Sequence, residues 1–93
     1  MTELEKCRQI IDEIDTKIIE LYEKRMEVVE NVIKYKLENN IPVLDSNRED
    51  LMLKNNLEKI KNKRFKNYYK SVLSGFLTAS KSLQDDIKTL NNK

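Results

Sequence analysis

Apolar side chains near the start of the chain recur in alternating steps of three and four: Leu4, Cys7, Ile11, Ile14, Ile18 and Leu21, then, past Arg25, Val28, Val32 and Tyr35. This heptad spacing predicts one α-helix from about Thr2 to about Asn39. Thr2 and Glu5 have the spacing of a capping box, and Pro42, which disfavours helical geometry in the residue before it, marks the far end. Asp45 or Ser46 can cap a second helix that begins near Asn47 and carries Leu51, Met52, Leu53, Leu57 and Ile60 on its apolar side. The polar, basic stretch Lys61–Lys66 has no period and is read as a connection. A third helix runs from about Asn67 to about Leu90, with Tyr69, Val72, Leu73, Phe76, Leu77, Leu83, Ile87 and Leu90 in register. Gly75 in its middle is read as room for a close helix contact, and the tail Asn91–Lys93 as frayed. No repeat or linker interrupts residues 1–93, so the expectation is one all-α domain of three helices: one very long, one short and one medium.

The length of the first helix carries an implication of its own. A compact domain of 93 residues has a radius of gyration near ~12 Å, while a helix of about 36 residues is roughly 54 Å long. The rest of the chain cannot cover it. The simplest cover is a twofold-related copy, so the expected assembly is an intertwined helical homodimer.

One member of the heptad row is charged, which needs a cause. Arg25 sits between Leu21 and Val28 on a seam expected to be buried, where an unpaired cation is costly. Lys36, eleven residues on, is close to three whole turns away and points nearly the same way, separated by roughly 16 Å of rise. Arg8 lies seventeen residues before Arg25, roughly 25 Å along the axis and about 100° out of phase, so one chain cannot bring both onto a small ligand. Two antiparallel copies related by a twofold near Ile19 could.

Composition narrows the chemistry. The chain is 39% hydrophobic and 37% charged with one Gly and one Pro, a helical composition with few turns. A net charge of +2 is too mild to imply nucleic acid, and acidic residues are interleaved with basic ones except in the run from Lys59 to Lys66. No stretch is apolar enough to span a membrane and no signal peptide is visible, so a reducing cytoplasm is the expected compartment. The single cysteine, Cys7, is read as packing on the seam. Without histidine there is no Ser-His or Cys-His pair and no His-based zinc site. No metal and no cofactor is expected, and the chemistry must come from Lys, Arg, carboxylates and amides.

The polar residues that look misplaced or stand at helix ends are Arg8, Arg25, Lys36, Asp45, Arg48, Glu49, Ser80 and Gln84. Together they would suit a small dianion that carries a hydroxyl group, because the arginine fork matches a carboxylate two bonds at a time. Taken singly, each has an ordinary reading: Arg25 snorkelling to solvent, Lys36 as a surface lysine, Asp45, Arg48 and Glu49 as a cap with an intrahelical ion pair, Ser80 and Gln84 as surface polarity.

The spacing of Arg8, Asp15, Ile18, Leu21, Arg25 and Lys36, followed by Pro42-Val43, Asp45 and Arg48-Glu49, resembles that of the all-helical chorismate mutases. The likeness covers nearly the whole chain; beyond Glu49 it rests on Ser80 and Gln84 alone. It implies the rearrangement of chorismate to prephenate, on the way to phenylalanine and tyrosine, in a homodimer with two equivalent sites. It further implies that Arg8 from the partner and Arg25 hold the two substrate carboxylates. Lys36 and Gln84 would donate to the ether oxygen from opposite sides. Asp45, Arg48 and Glu49 would hold the ring hydroxyl, and Ser80 would assist a carboxylate.

Two other readings compete. Isochorismate pyruvate-lyase resembles a variant of the same fold, but it is less similar around the start of the second helix, where this chain has Asp45 and Arg48-Glu49. A non-catalytic helical dimerisation or binding module would use the first helix as a coiled coil and Lys59–Lys66 as a nucleic-acid or acidic-protein contact. That module gains nothing from Arg25 on its seam.

Overall fold

A computed structural model describes residues 1–91. Three helices, α1 (Glu3–Glu38), α2 (Ser46–Glu58) and α3 (Lys66–Asn91), account for most of the chain, and no strand occurs among the described residues. Asn91 is still helical; the rest of the expected frayed tail, residues 92 and 93, lies outside the described residues.

Local chemistry sets each boundary. The Thr2 side chain accepts from the Glu5 amide at 3.1 Å and opens α1. At the other end Asn40 takes a left-handed conformation (φ 55°), and the Ile41 amide donates back to the Lys36 carbonyl at 2.8 Å. That is the six-to-one bond of a Schellman closure, with asparagine where glycine is commonest. Two residues before Pro42, therefore, the chain has already turned out of the helix. Of the two candidate caps for α2, Asp45 holds the position, its Oδ1 accepting from the Arg48 amide at 3.0 Å. The second connection begins at Lys59, two residues earlier than its sequence suggests, and it is more ordered, because Asn62 caps a 3-10 turn at Lys63–Phe65 that leads straight into α3.

The molecule is elongated, 55 × 27 × 15 Å with a radius of gyration of 16.9 Å, against about 12 Å for a compact domain of this length. Both α1 and α2 pack on α3 and not on one another. The core they enclose is small: Val29, Ile33, Met52 and Leu73 are the buried apolar side chains.

The buried face of α1 differs from the heptad row. Every residue from Leu4 to Lys24 is exposed, Cys7 included. Beyond Arg25 the covered positions are Met26, Val29, Ile33 and Leu37, whereas Val28, Val32 and Tyr35 of the row stay exposed. At 100° per residue these two faces lie roughly 140° apart, and Arg25 and Lys36 fall between them. The expectation that Arg25 sits inside a buried seam is corrected accordingly: it is half-buried at the margin of a packed face, which is a cheaper place for a cation. Gly75 is also not a close contact within the chain, since a Cβ there would meet nothing within 4 Å.

Candidate active site

Because α1 and α2 both lean on α3 while their backbones stay apart from each other, a cleft remains between the three helices. It is a partly open pocket of about 150 Å³. Seven of the eight residues singled out in the sequence line it: Arg25 and Lys36 from α1, Asp45, Arg48 and Glu49 from the start of α2, and Ser80 and Gln84 from α3. Arg8 does not. It projects from the exposed part of α1 near the far end, where the chain brings no residue of the cleft.

A continuous set of polar contacts crosses the cleft floor. The Arg25 guanidinium donates to Ser80 Oγ, which in turn donates to the Phe76 carbonyl at 2.8 Å. The same guanidinium lies 5.4 Å from the centre of the Phe76 ring, within cation–π distance. Lys36 Nζ donates to the Val43 carbonyl at 2.9 Å and to Gln84 Oε1 at 3.0 Å. Gln84 Nε2 donates to the Ser80 carbonyl at 3.2 Å. Ser80 and Gln84, at 8% and 7% exposure, are the buried polar residues of the described chain, and each of their side-chain polar atoms has at least one hydrogen-bond partner, as burial demands.

Sequence spacing places this set. Residues three and four apart share a helix face, so Leu77, Lys81 and Gln84 point into the cleft together, with Ser80 beside them. Lys36 stands in the last turn of α1, where the helix dipole favours a cation. The Schellman turn after it folds Val43 back within reach of its ammonium group.

The donors are partly spent and partly free. An ammonium carries three N–H groups and a side-chain amide two; the bonds above use two of the first and one of the second. One N–H on Lys36 and one on Gln84 are thus left over from these bonds, on two side chains that are bonded to each other and both line the cleft. Four cationic side chains, Arg25, Lys36, Arg48 and Lys81, face two acidic ones, Asp45 and Glu49. The cleft is a net cationic, hydrogen-bond-rich pocket with apolar walls from Val29, Val32, Met52 and Leu77, suited to a small dianion with an apolar ring.

Three features differ from what the sequence suggests. Ser80 and Gln84 are buried rather than surface residues. Glu49 does not pair with Arg48 along α2: its Oε1 is 2.6 Å from Lys81 Nζ on α3, as expected for adjacent helical residues that diverge. Lys81 itself was not marked by any departure from pattern, although its spacing of three from Gln84 would have placed it on the same face.

No curated protein and no solved structure matches the chain. A family model described as chorismate mutase type II matches residues 7–85, a span that contains Arg8 and every residue of the cleft. With that match over most of its length and with a three-helix, strand-free fold over the described residues, the chain belongs to the chorismate mutase type II family, the all-helical class.

Proposed function

We propose that the cleft binds chorismate and catalyses its rearrangement to prephenate, with no nucleophile and no cofactor. The observation that carries this reading is the hydrogen-bonded array of Arg25, Ser80, Lys36 and Gln84 in one cleft, with a donor left over on each of the last two. In the reaction the ether C–O bond breaks as a C–C bond forms within the same molecule, and no proton or electron is exchanged with the protein. What the protein must supply is a compact reactive conformer and stabilisation of the negative charge that grows on the ether oxygen. Arg25 would clamp a carboxylate; Lys36 and Gln84 would donate to the ether oxygen. Asp45, Arg48 and Glu49 would receive the ring hydroxyl, and Ser80 would hold Arg25 in place. Enzymes at the low end of rate acceleration lower the barrier by about 8 kcal/mol, and one preorganised donor contributes about 3 to 4 kcal/mol, so two donors with conformer selection reach that range.

The active species in this proposal is a homodimer. The support is the exposed apolar row from Leu4 to Leu21, too long to remain bare on a chain with so small a core, together with the position of Arg8 at its far end. An antiparallel copy would cover that row and carry its own Arg8 to this cleft as a second carboxylate clamp.

The test is purified protein with chorismate, followed by loss of ultraviolet absorbance and product identification, with isochorismate run in parallel for salicylate and pyruvate. Prephenate formation that disappears in Arg25→Ala supports the proposal. Salicylate and pyruvate from isochorismate, without prephenate, would establish the lyase reading instead. Turnover of neither substrate by a folded dimer would leave a binding module.

A further inference from the structure

Lys81 is the charged cleft residue that neither the heptad pattern nor the resemblance assigns. It stands on α3 one residue past Ser80, and its ammonium reaches across to Glu49 near the start of α2, 2.6 Å away. The two side chains are 45% and 21% exposed. A contact that wet adds little to stability, so its consequence lies in the cleft that both residues line.

Glu49 is an awkward residue for a dianion site. Its carboxylate repels the ligand's carboxylates, and as a freely rotating side chain it would hold a hydroxyl in no fixed place. The lysine answers both problems. Its charge cancels that of the glutamate, and its bond to one oxygen fixes the carboxylate plane while lone pairs remain for a further donor. We infer that Lys81 is a positioning residue: its ion pair holds Glu49 as the oriented, charge-balanced acceptor for the hydroxyl of the bound dianion. The inference rests on the reading of the cleft as a chorismate site and adds to it the residue through which Glu49 acts.

Four full-length variants test it: Lys81→Met, Lys81→Arg, Glu49→Gln and the double variant Glu49→Gln with Lys81→Met, each assayed for initial rate over a range of chorismate concentrations. Methionine keeps the length and helix propensity of lysine, and matching circular dichroism shows that the fold is kept. Held equally in ground and transition states, the hydroxyl contributes to KM and not to kcat. Lys81→Met is therefore expected to raise KM about five- to tenfold with kcat within about twofold, in line with losing a charge-assisted bond near a tenfold-per-1.4 kcal/mol scale. Lys81→Arg should restore most of that loss. The double variant should be no worse than Glu49→Gln alone, because the lysine then has nothing to position.

A wild-type KM in Lys81→Met overturns the inference. So does a double variant whose losses multiply, which would mean that Lys81 touches substrate itself. If the unmodified protein fails to consume chorismate, the reading of the cleft falls and the inference falls with it, a failure distinguished from the others because it appears before any variant is made.

Discussion

Residues 3–24 and 25–38 belong to one continuous helix and are both rich in apolar side chains, yet the protein treats them differently. In the second stretch Met26, Val29, Ile33 and Leu37 are covered by α3, and Arg25 and Lys36 at the edge of that face meet Ser80 and Gln84. In the first stretch nothing is covered, and Ile11, Ile14 and Ile18 are each about half exposed. The second stretch has apolar residues on two faces, one used by its own chain and one left open; the first continues the open row and carries Ile10, Ile19 and Tyr22 beside it, all of them exposed. The strip between the two faces is where cations are tolerable, and it is there that the cleft forms.

The strongest way to break this comparison is to ask whether the two stretches serve one site. Lys36→Ala removes a donor aimed into the cleft and is expected to lower turnover by about 10²–10³-fold. Arg8→Ala, in the uncovered stretch, should cost on the order of 10²-fold if its guanidinium clamps a buried carboxylate. Each variant alone is then nearly inactive. Mixed in equal amounts and allowed to exchange subunits, they should regain about a quarter of wild-type activity. Half of the twofold assemblies would be mixed, and each of these would hold one intact site of two. An Arg8 that serves its own chain gives no recovery, and one that serves nothing leaves Arg8→Ala active by itself.

Next in size is the cost of placing a charge in the open row. Ile14→Asp changes a residue that is 50% exposed in the single chain, so for a monomer the effect would be no more than a few tenths of a kcal/mol of helix propensity. Across a covered interface the same change buries a carboxylate in each copy, at several kcal/mol. Sedimentation at micromolar concentration is expected to show dissociation to single chains with loss of turnover. An unaltered sedimentation coefficient and rate would remove the uncovered row from the explanation.

The same contrast explains what could be read from the sequence. Helix ends were legible because they depend on near neighbours: Thr2 and Asp45 cap as their spacing suggests, and the last helix begins within a residue of its expected start. The set of cleft residues was legible because helical spacing and family resemblance both mark it. Which face of α1 its own chain buries was not, since Val28 and Val29 are equally apolar and heptad spacing cannot tell an intrachain contact from one between copies. The burial of Ser80 and Gln84 escaped for a related reason. Their polarity reads as exposure until Arg25 and Lys36, 55 and 48 residues away, arrive to satisfy them. Lys81 escaped because a lysine on a helix is ordinary until something across the groove receives it.

Within the covered stretch, Ser80→Ala sharpens the division of labour. It removes the hydroxyl that receives Arg25 and leaves the cation–π contact with Phe76. The loss of one hydrogen bond corresponds to about three- to tenfold in kcat/KM, far below the effect of Lys36→Ala. Equal losses in the two variants would mean that Arg25, and not the Lys36–Gln84 pair, dominates the barrier.

The smallest effect asks how far the open surface extends beyond α1. Phe65, Tyr68 and Val72 near the start of α3 are exposed, and Gly75 follows one turn on with no atom near its missing Cβ. If that face stays open in the assembled protein, Gly75→Ala fills empty space and replaces a poor helix former by the best, a gain of about 1 kcal/mol. That is the expected result, read as a higher thermal midpoint at fixed protein concentration with unchanged turnover. A lower midpoint would mean that a second copy approaches the α3 backbone at Gly75, where only the absence of a side chain allows it. The stripe from Phe65 to Val72 would then join Leu4 to Leu21 as one surface, and the uncovered half of α1 would have its counterpart on the partner's α3.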